Sequence, residues 1–127
     1  MIVLDTHTWI WLASEPARLG RRGRTAIEAA DRVGVPAVCL FEVAAAISRG
    51  RITLDRAPLD WIEQALALPR VELLPLSPAV AVRATQLGAF HGDPADRLIV
   101  ATAILNGATL VTKDQNIRGY GAVSSIW

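Results

Sequence analysis

The sequence predicts an α/β chain, a three-layer α/β/α sandwich with a largely parallel central sheet. Short apolar runs alternate throughout with longer stretches whose apolar residues recur at helical spacing. The connections are short, with no repeats, low-complexity tracts or long linkers. At 127 residues and 52% hydrophobic content the chain suits one domain with a real core and is too short for two, so a single domain over residues 1–127 is expected.

MIVLD opens with an apolar run that stops at Asp5, the pattern of a buried strand whose carboxyl end reaches a surface. THTWIWLASE reads as a short helix or turn halted near Pro16, and a helix follows over about residues 23–32. VGVPAV is a second strand, with Pro36 suited to an edge or a strand entrance. It leads into CLFEVAAAISRG, a helix by its length and alanine content, ended by Gly50 and carrying Glu42 on its early turns. LDWIEQALAL has apolar residues at helical spacing, and VELLPL is a third strand. Ser77 and Pro78 form an N-cap and N1 pair for the helix AVAVRATQLGA. In HGDPADRLIVATAILNG, Asp93 suits the N-cap and Pro94 suits N1. Asp96 falls at N3, where a carboxylate faces the positive helix end, and Gly107 is the C′ residue. ATLVTKD supplies a fourth strand ending at Asp114, and AVSSIW adds an edge strand.

Composition excludes several classes. One cysteine rules out a disulfide scaffold within the chain and favours a reducing interior, so a cytoplasmic location is expected. Cys39, in AVCLFEVAAAI, reads as a small core hydrophobe rather than a nucleophile. No run approaches the ~20 apolar residues of a membrane span, and no basic leader precedes the first apolar residues. The net charge of +1 does not announce a nucleic-acid binder, but a small total can conceal opposed patches. Arg18, Arg21, Arg22 and Arg24 cluster in RLGRRGR, and Arg49 and Arg51 flank Gly50; these are candidate phosphate contacts, with solvated helix ends as the plainer reading. Trp9 and Trp11 stand two apart, so a helix turns them roughly 200° from one another, one inward and one toward an interface. Trp61 is expected between helices, and Trp127 at an edge or a partner surface.

The acids give the sharper signal. Asp5 and Asp114 follow strands, and Glu42 and Asp96 lie in the first turns of helices that can start at the same sheet edge. Ligands bind such sheets at the carboxyl ends of their strands. Gathered carboxylates resist ionisation unless a counter-cation joins them, and a hard divalent ion such as Mg²⁺ suits an all-oxygen donor set. Zinc spacing, a phosphate-binding glycine loop and a serine nucleophile elbow are all missing from the sequence. His7 and His91 are available to touch substrate or a site water, or to serve only a turn and a helix start. Metal-assisted phosphodiester hydrolysis leads.

With VLDTH at 3–7, FEVA at 41–44, DPADRLIVATA at 93–103 and LVTKD at 110–114, the chain resembles PIN-domain ribonucleases, and more narrowly the VapC-like toxins of bacterial toxin-antitoxin pairs. The resemblance spans essentially the whole chain. It implies a PIN fold and a Mg²⁺- or Mn²⁺-dependent endoribonuclease site in which Asp5, Glu42, Asp96 and Asp114 match the acidic quartet, with Asp5, Asp96 and Asp114 as metal ligands. Asp93 matches an accessory acid, and Thr112 the hydroxyl before the last acid, placed to bond Asp5 or a site water; Thr6 is a second candidate for that work. The tail QNIRGYG departs from the phenylalanine more common after the last acid, which leaves the local loop open.

The same resemblance implies an RNA substrate such as a tRNA loop or structured rRNA, a homodimer, no membrane, and a small antitoxin whose C-terminal segment crosses the acidic groove. Each acid also has a plainer role as a cap, a turn residue or an exposed helix acid, and a non-catalytic PIN-like interaction or RNA-binding module is the alternative. DTHT partly matches the DxDxT of haloacid-dehalogenase-like phosphatases, but His7 stands where the second aspartate is needed. A response-receiver-like phosphorylation site using Thr112 and Lys113 lacks the paired early acids.

Overall fold

A computed structural model describes residues 1–90 and 92–127; the expected roles of His91 lie outside the described residues. Five strands, β1 (Ile2–Leu4), β2 (Val33–Pro36), β3 (Val71–Leu74), β4 (Thr109–Val111) and β5 (Ser125–Ile126), form one sheet in the order β3-β2-β1-β4-β5. Every pair is parallel, including the AVSSIW edge strand. The helices are α1 (Thr6–Ser14), α2 (Arg21–Ala29), α3 (Val38–Ser48), α4 (Pro58–Leu66), α5 (Pro78–Thr85), α6 (Pro94–Leu105) and α7 (Gln115–Arg118), with a 3-10 turn at Pro16–Arg18.

The chain moves outward from β1 to β2 and β3, then recrosses to the other side of β1 for β4 and β5. Parallel crossovers are right-handed, so this reversal sends the connecting helices to opposite faces and completes the α/β/α sandwich. It also makes the β1–β4 seam a switch point, where the outgoing connections diverge and leave a crevice at the carboxyl ends of the strands.

Burial follows the apolar runs. Every residue of β1 and β2 is buried, as expected for strands covered on both faces. Val3, Leu4, Val33, Val35, Leu110 and Val111 are fully or almost fully enclosed, each burial worth about 1.5–3 kcal/mol. Trp9 is sealed inside and meets Trp61 edge-on at 5.2 Å, and the Trp61 indole donates to Ser14 Oγ at 3.0 Å. Trp61 therefore packs between helices as anticipated. Trp11 does not reach an open surface; it is buried against His7 and Trp127, with ring centroids at 5.7 and 5.6 Å.

The glycines expected to end α3 and α6 do so. Gly50 and Gly107 take left-handed φ of 69° and 58°, and their amides return to Ile47 and Ile104. The next amides, Arg51 and Ala108, bond Ala46 and Ala103, closing a Schellman motif at both ends. α2 begins at Arg21 rather than near residue 23 and stops at Ala29, because Gly20 takes the N-cap and Arg32 leads directly into β2. Arg32 instead grips Glu72 of β3 with two hydrogen bonds of 2.8 and 2.7 Å. Among the described residues no helix is long and apolar enough to cross a membrane.

Candidate active site

Asp5 is the first residue beyond β1 and caps α1, its Oδ1 accepting from the Thr8 amide at 3.0 Å. The β1–β4 pairing aligns Leu4 with Val111, which brings Thr112 beside Asp5. The fully buried Thr112 hydroxyl donates to Asp5 Oδ2 and accepts from the Asp114 amide at 3.0 Å. Thr8 adds a hydroxyl bond to the Val111 carbonyl at 2.9 Å. Asp5, only 8% exposed, is thus held in one orientation by two donors, and each carboxylate oxygen keeps lone-pair capacity.

Asp114 also caps a helix. Its Oδ1 accepts from the Ile117 amide at 3.0 Å and starts α7, a four-residue helix where the sequence left a loop. Asp93 caps α6 through the Asp96 amide at 2.8 Å, and Asp96 stands in the first turn. Glu42, one turn into α3, accepts the Thr6 hydroxyl, so Thr6 steadies Glu42 rather than Asp5.

These acids line one cleft of about 1050 Å³ at the switch point. Burial raises the Asp96 carboxyl to about 7, and the surrounding charges of Asp93, Asp114, Glu42 and Asp5 push the same way. The Cys39 thiol behind them is pushed up, chiefly by burial, against the opposing hydrogen bond of Thr6, which fits a packed core residue.

Among the described residues no three His, Cys, Asp or Glu side chains are already arranged to close on one ion. The donor set is nevertheless hard oxygen throughout, and Asp96 makes no side-chain hydrogen bond among the described residues. Such a set fits an ion held by one or two carboxylates, with water completing the shell, and not an all-protein cage.

The cations divide. Arg18, Arg49 and Arg51 line the cleft, whereas Arg21, Arg22 and Arg24 stand exposed on α2 outside it. Arg24 donates to the Pro16 carbonyl, pinning the 3-10 turn that carries Arg18. Sequence reasoning did not single out Lys113 as a lining residue, although it sits between two site residues. It also missed Phe41, which lines the cleft 71% exposed beside Glu42; its exposure is set by helix packing and left no signal in the sequence. Arg97 was missed as well. Its guanidinium donates to the carbonyls of Ala84, Phe90 and Leu87 at 3.0, 2.7 and 3.2 Å, tying the end of α5 and the following loop to α6.

A parallel sheet whose switch point gathers acids from four separate elements defines a class, and the chain belongs to it: residues 2–123 match the PIN domain family. Within that family the chain is closely related to the VapC toxins of type II toxin-antitoxin systems. It is 42% identical over 120 residues to "Ribonuclease VapC22" of Mycobacterium tuberculosis, covering 94% of this chain and 91% of that protein. Among solved structures, VapBC2 from Rickettsia felis, bound to a promoter DNA fragment, superposes with a TM-score of 0.72 at 18% identity, over 99% of this chain and 98% of that one. DNA-bound VapBC from Salmonella typhimurium gives 0.71 at 20% identity, over 99% and 98%. Both likenesses are likenesses of fold.

Proposed function

We propose that this chain is a Mg²⁺- or Mn²⁺-dependent endoribonuclease toxin, held in check by a cognate antitoxin. The observation that carries the reading is the convergence of Asp5, Glu42, Asp96 and Asp114 on one cleft, where burial first and the neighbouring carboxylates second raise Asp96. The relationship to a named VapC ribonuclease supports the substrate class.

Asp5, Asp96 and Asp114 would hold the ion, directly or through waters. When bound, it supplies Lewis-acid chemistry, offsetting phosphate charge and making water nucleophilic near neutral pH. Thr112 fixes the Asp5 carboxylate, and Asp93 fixes the start of the helix that presents Asp96. Glu42, steadied by Thr6, orients the attacking water and takes its proton. A new oxygen–phosphorus bond forms as the bond to the 3′ oxygen breaks, the 3′ oxygen gains a proton, and the products carry 5′ phosphate and 3′ hydroxyl ends. Arg49 and Arg51 are placed to meet neighbouring phosphates. An antitoxin segment crossing the cleft with an arginine among the acids would block both RNA and ion. The chain is further proposed to act as one domain, as a homodimer and in the cytoplasm.

The test is sequencing of cleavage sites in cellular RNA treated with purified protein and Mg²⁺ or Mn²⁺, against EDTA and an Asp5→Asn, Asp96→Asn double variant. Discrete metal-dependent cuts with 5′ phosphate ends, absent from the variant, establish the activity. A folded, metal-binding protein that cuts nothing overturns it in favour of a non-catalytic interaction or RNA-binding module.

A further inference from the structure

We propose that Trp11 seats a two-cation clamp, Arg18 and Lys113, for the phosphodiester next to the scissile one in a single-stranded RNA; this rests on the nuclease reading above. The Arg18 guanidinium carbon lies 4.5 Å from the Trp11 ring centroid, and Lys113 Nζ lies 5.9 Å from it. The ring is a fixed platform, buried and braced by His7 and Trp127. Trp11, Arg18 and Lys113 all line the cleft that holds Asp5 and Asp114.

An aromatic face holds a cation without neutralising it, so both charges stay available to an anion. Neither is consumed by a strong ion pair. Among the described residues Lys113 makes none, and Arg18 makes one ion contact, to Glu15 at 3.9 Å, with both side chains more than half exposed. Their positions are set from behind: Lys113 stands between Thr112 and Asp114, and the Arg24 bond to Pro16 pins the turn bearing Arg18.

A phosphodiester carries two non-bridging oxygens, one available to each cation. A repeating polyanion also explains why the clamp adjoins an acidic centre that would repel an isolated anion. One phosphate lies at the acids and its neighbour at the clamp. This distinguishes Arg18 from Arg21 and Arg22, which share its sequence cluster but do not line the cleft.

The experiment measures binding of a short, fluorescein-labelled, mixed-sequence single-stranded RNA over a range of KCl, in an Asp5→Asn background with Mg²⁺, and steady-state cleavage without that background. Lys113→Gln, Arg18→Gln and Lys113→Arg are compared, with thermal unfolding as the folding control. Each glutamine variant is expected to make the plot of log affinity against log salt shallower by about 0.7, the value for one phosphate contact on a single strand. KM should rise by about three- to tenfold with kcat little changed, the pattern of lost uniform binding, and Lys113→Arg should restore both readouts. If the parent cuts RNA while both glutamine variants keep its slope and KM, the clamp is overturned and the nuclease reading stands. If the parent neither binds nor cuts RNA, the nuclease reading falls and the clamp with it.

Discussion

Thr112 donates its hydroxyl to Asp5 across the seam between β1 and β4, joining residues 107 positions apart in a bond shielded from solvent. The same oxygen accepts the Asp114 amide, so one side chain sets two acids. Thr112→Val keeps the shape and removes both roles. It should cost about 1–3 kcal/mol of stability, the range for stranding buried polar partners, and lower cleavage more than binding. Thr112→Ser should retain most of both. Urea unfolding beside a cleavage assay measures the two effects.

Asp96 makes stability depend on pH and on metal in a stated direction. With its folded pKa raised to about 7 from an unfolded value near 3.9, the metal-free folded chain binds a proton that the unfolded chain has lost. The Asp96 contribution is therefore most favourable below about pH 4, declines as pH rises to about 7, and levels off above that. In EDTA at about pH 8, Asp96→Asn should melt a few degrees above the parent, with the difference vanishing toward pH 4. Mg²⁺ should raise the parent's melting temperature at the higher pH and the variant's much less. Calorimetry at matched ionic strength decides it.

Arg97 should act on the site without entering its chemistry. Its three carbonyl bonds tie the chain around Ala84, Leu87 and Phe90 to the helix that carries Asp96. A lysine ammonium cannot reproduce the planar fork, so Arg97→Lys should cost about 1–3 kcal/mol and speed amide exchange between α5 and α6 before it speeds exchange elsewhere. Hydrogen exchange read by segment checks this.

The Trp9–Trp61 contact is the test of the core. Trp9→Ala removes a fully buried indole and should cost about 3–5 kcal/mol, a large share of the 5–15 kcal/mol typical of a whole domain. Trp61→Phe keeps the edge contact but loses the bond to Ser14, and should cost about 1 kcal/mol. Denaturant midpoints for the pair separate packing from hydrogen bonding.

Features that rest on local physics were legible in the sequence. Asp93, Pro94 and Asp96 announce the start of α6 because an N-cap needs only its own next three residues, and Gly50 and Gly107 announce helix ends because only their backbones take a left-handed φ without strain. The strand-end acids were legible because a buried parallel strand must stop where it becomes polar. Helix α7 was not, since four residues carry no period. Nor was the burial of Trp11, which depends on Trp127 arriving through β5, or the partner of Thr6, which depends on how α1 meets α3. The three carbonyls of Arg97 and the exposure of Phe41 likewise exist only once helices are packed.

The seam between β1 and β4 also governs when the acidic cleft can assemble. Asp5 leaves the ribosome 107 residues ahead of Thr112, and it gains Thr112 and Asp114 as neighbours only when β4 has emerged and found its place beside β1. Translation delivers roughly 5–20 residues each second, so for several seconds the nascent polypeptide holds its acids apart. Until β4 arrives the acidic cleft is not assembled, a delay written into strand order alone.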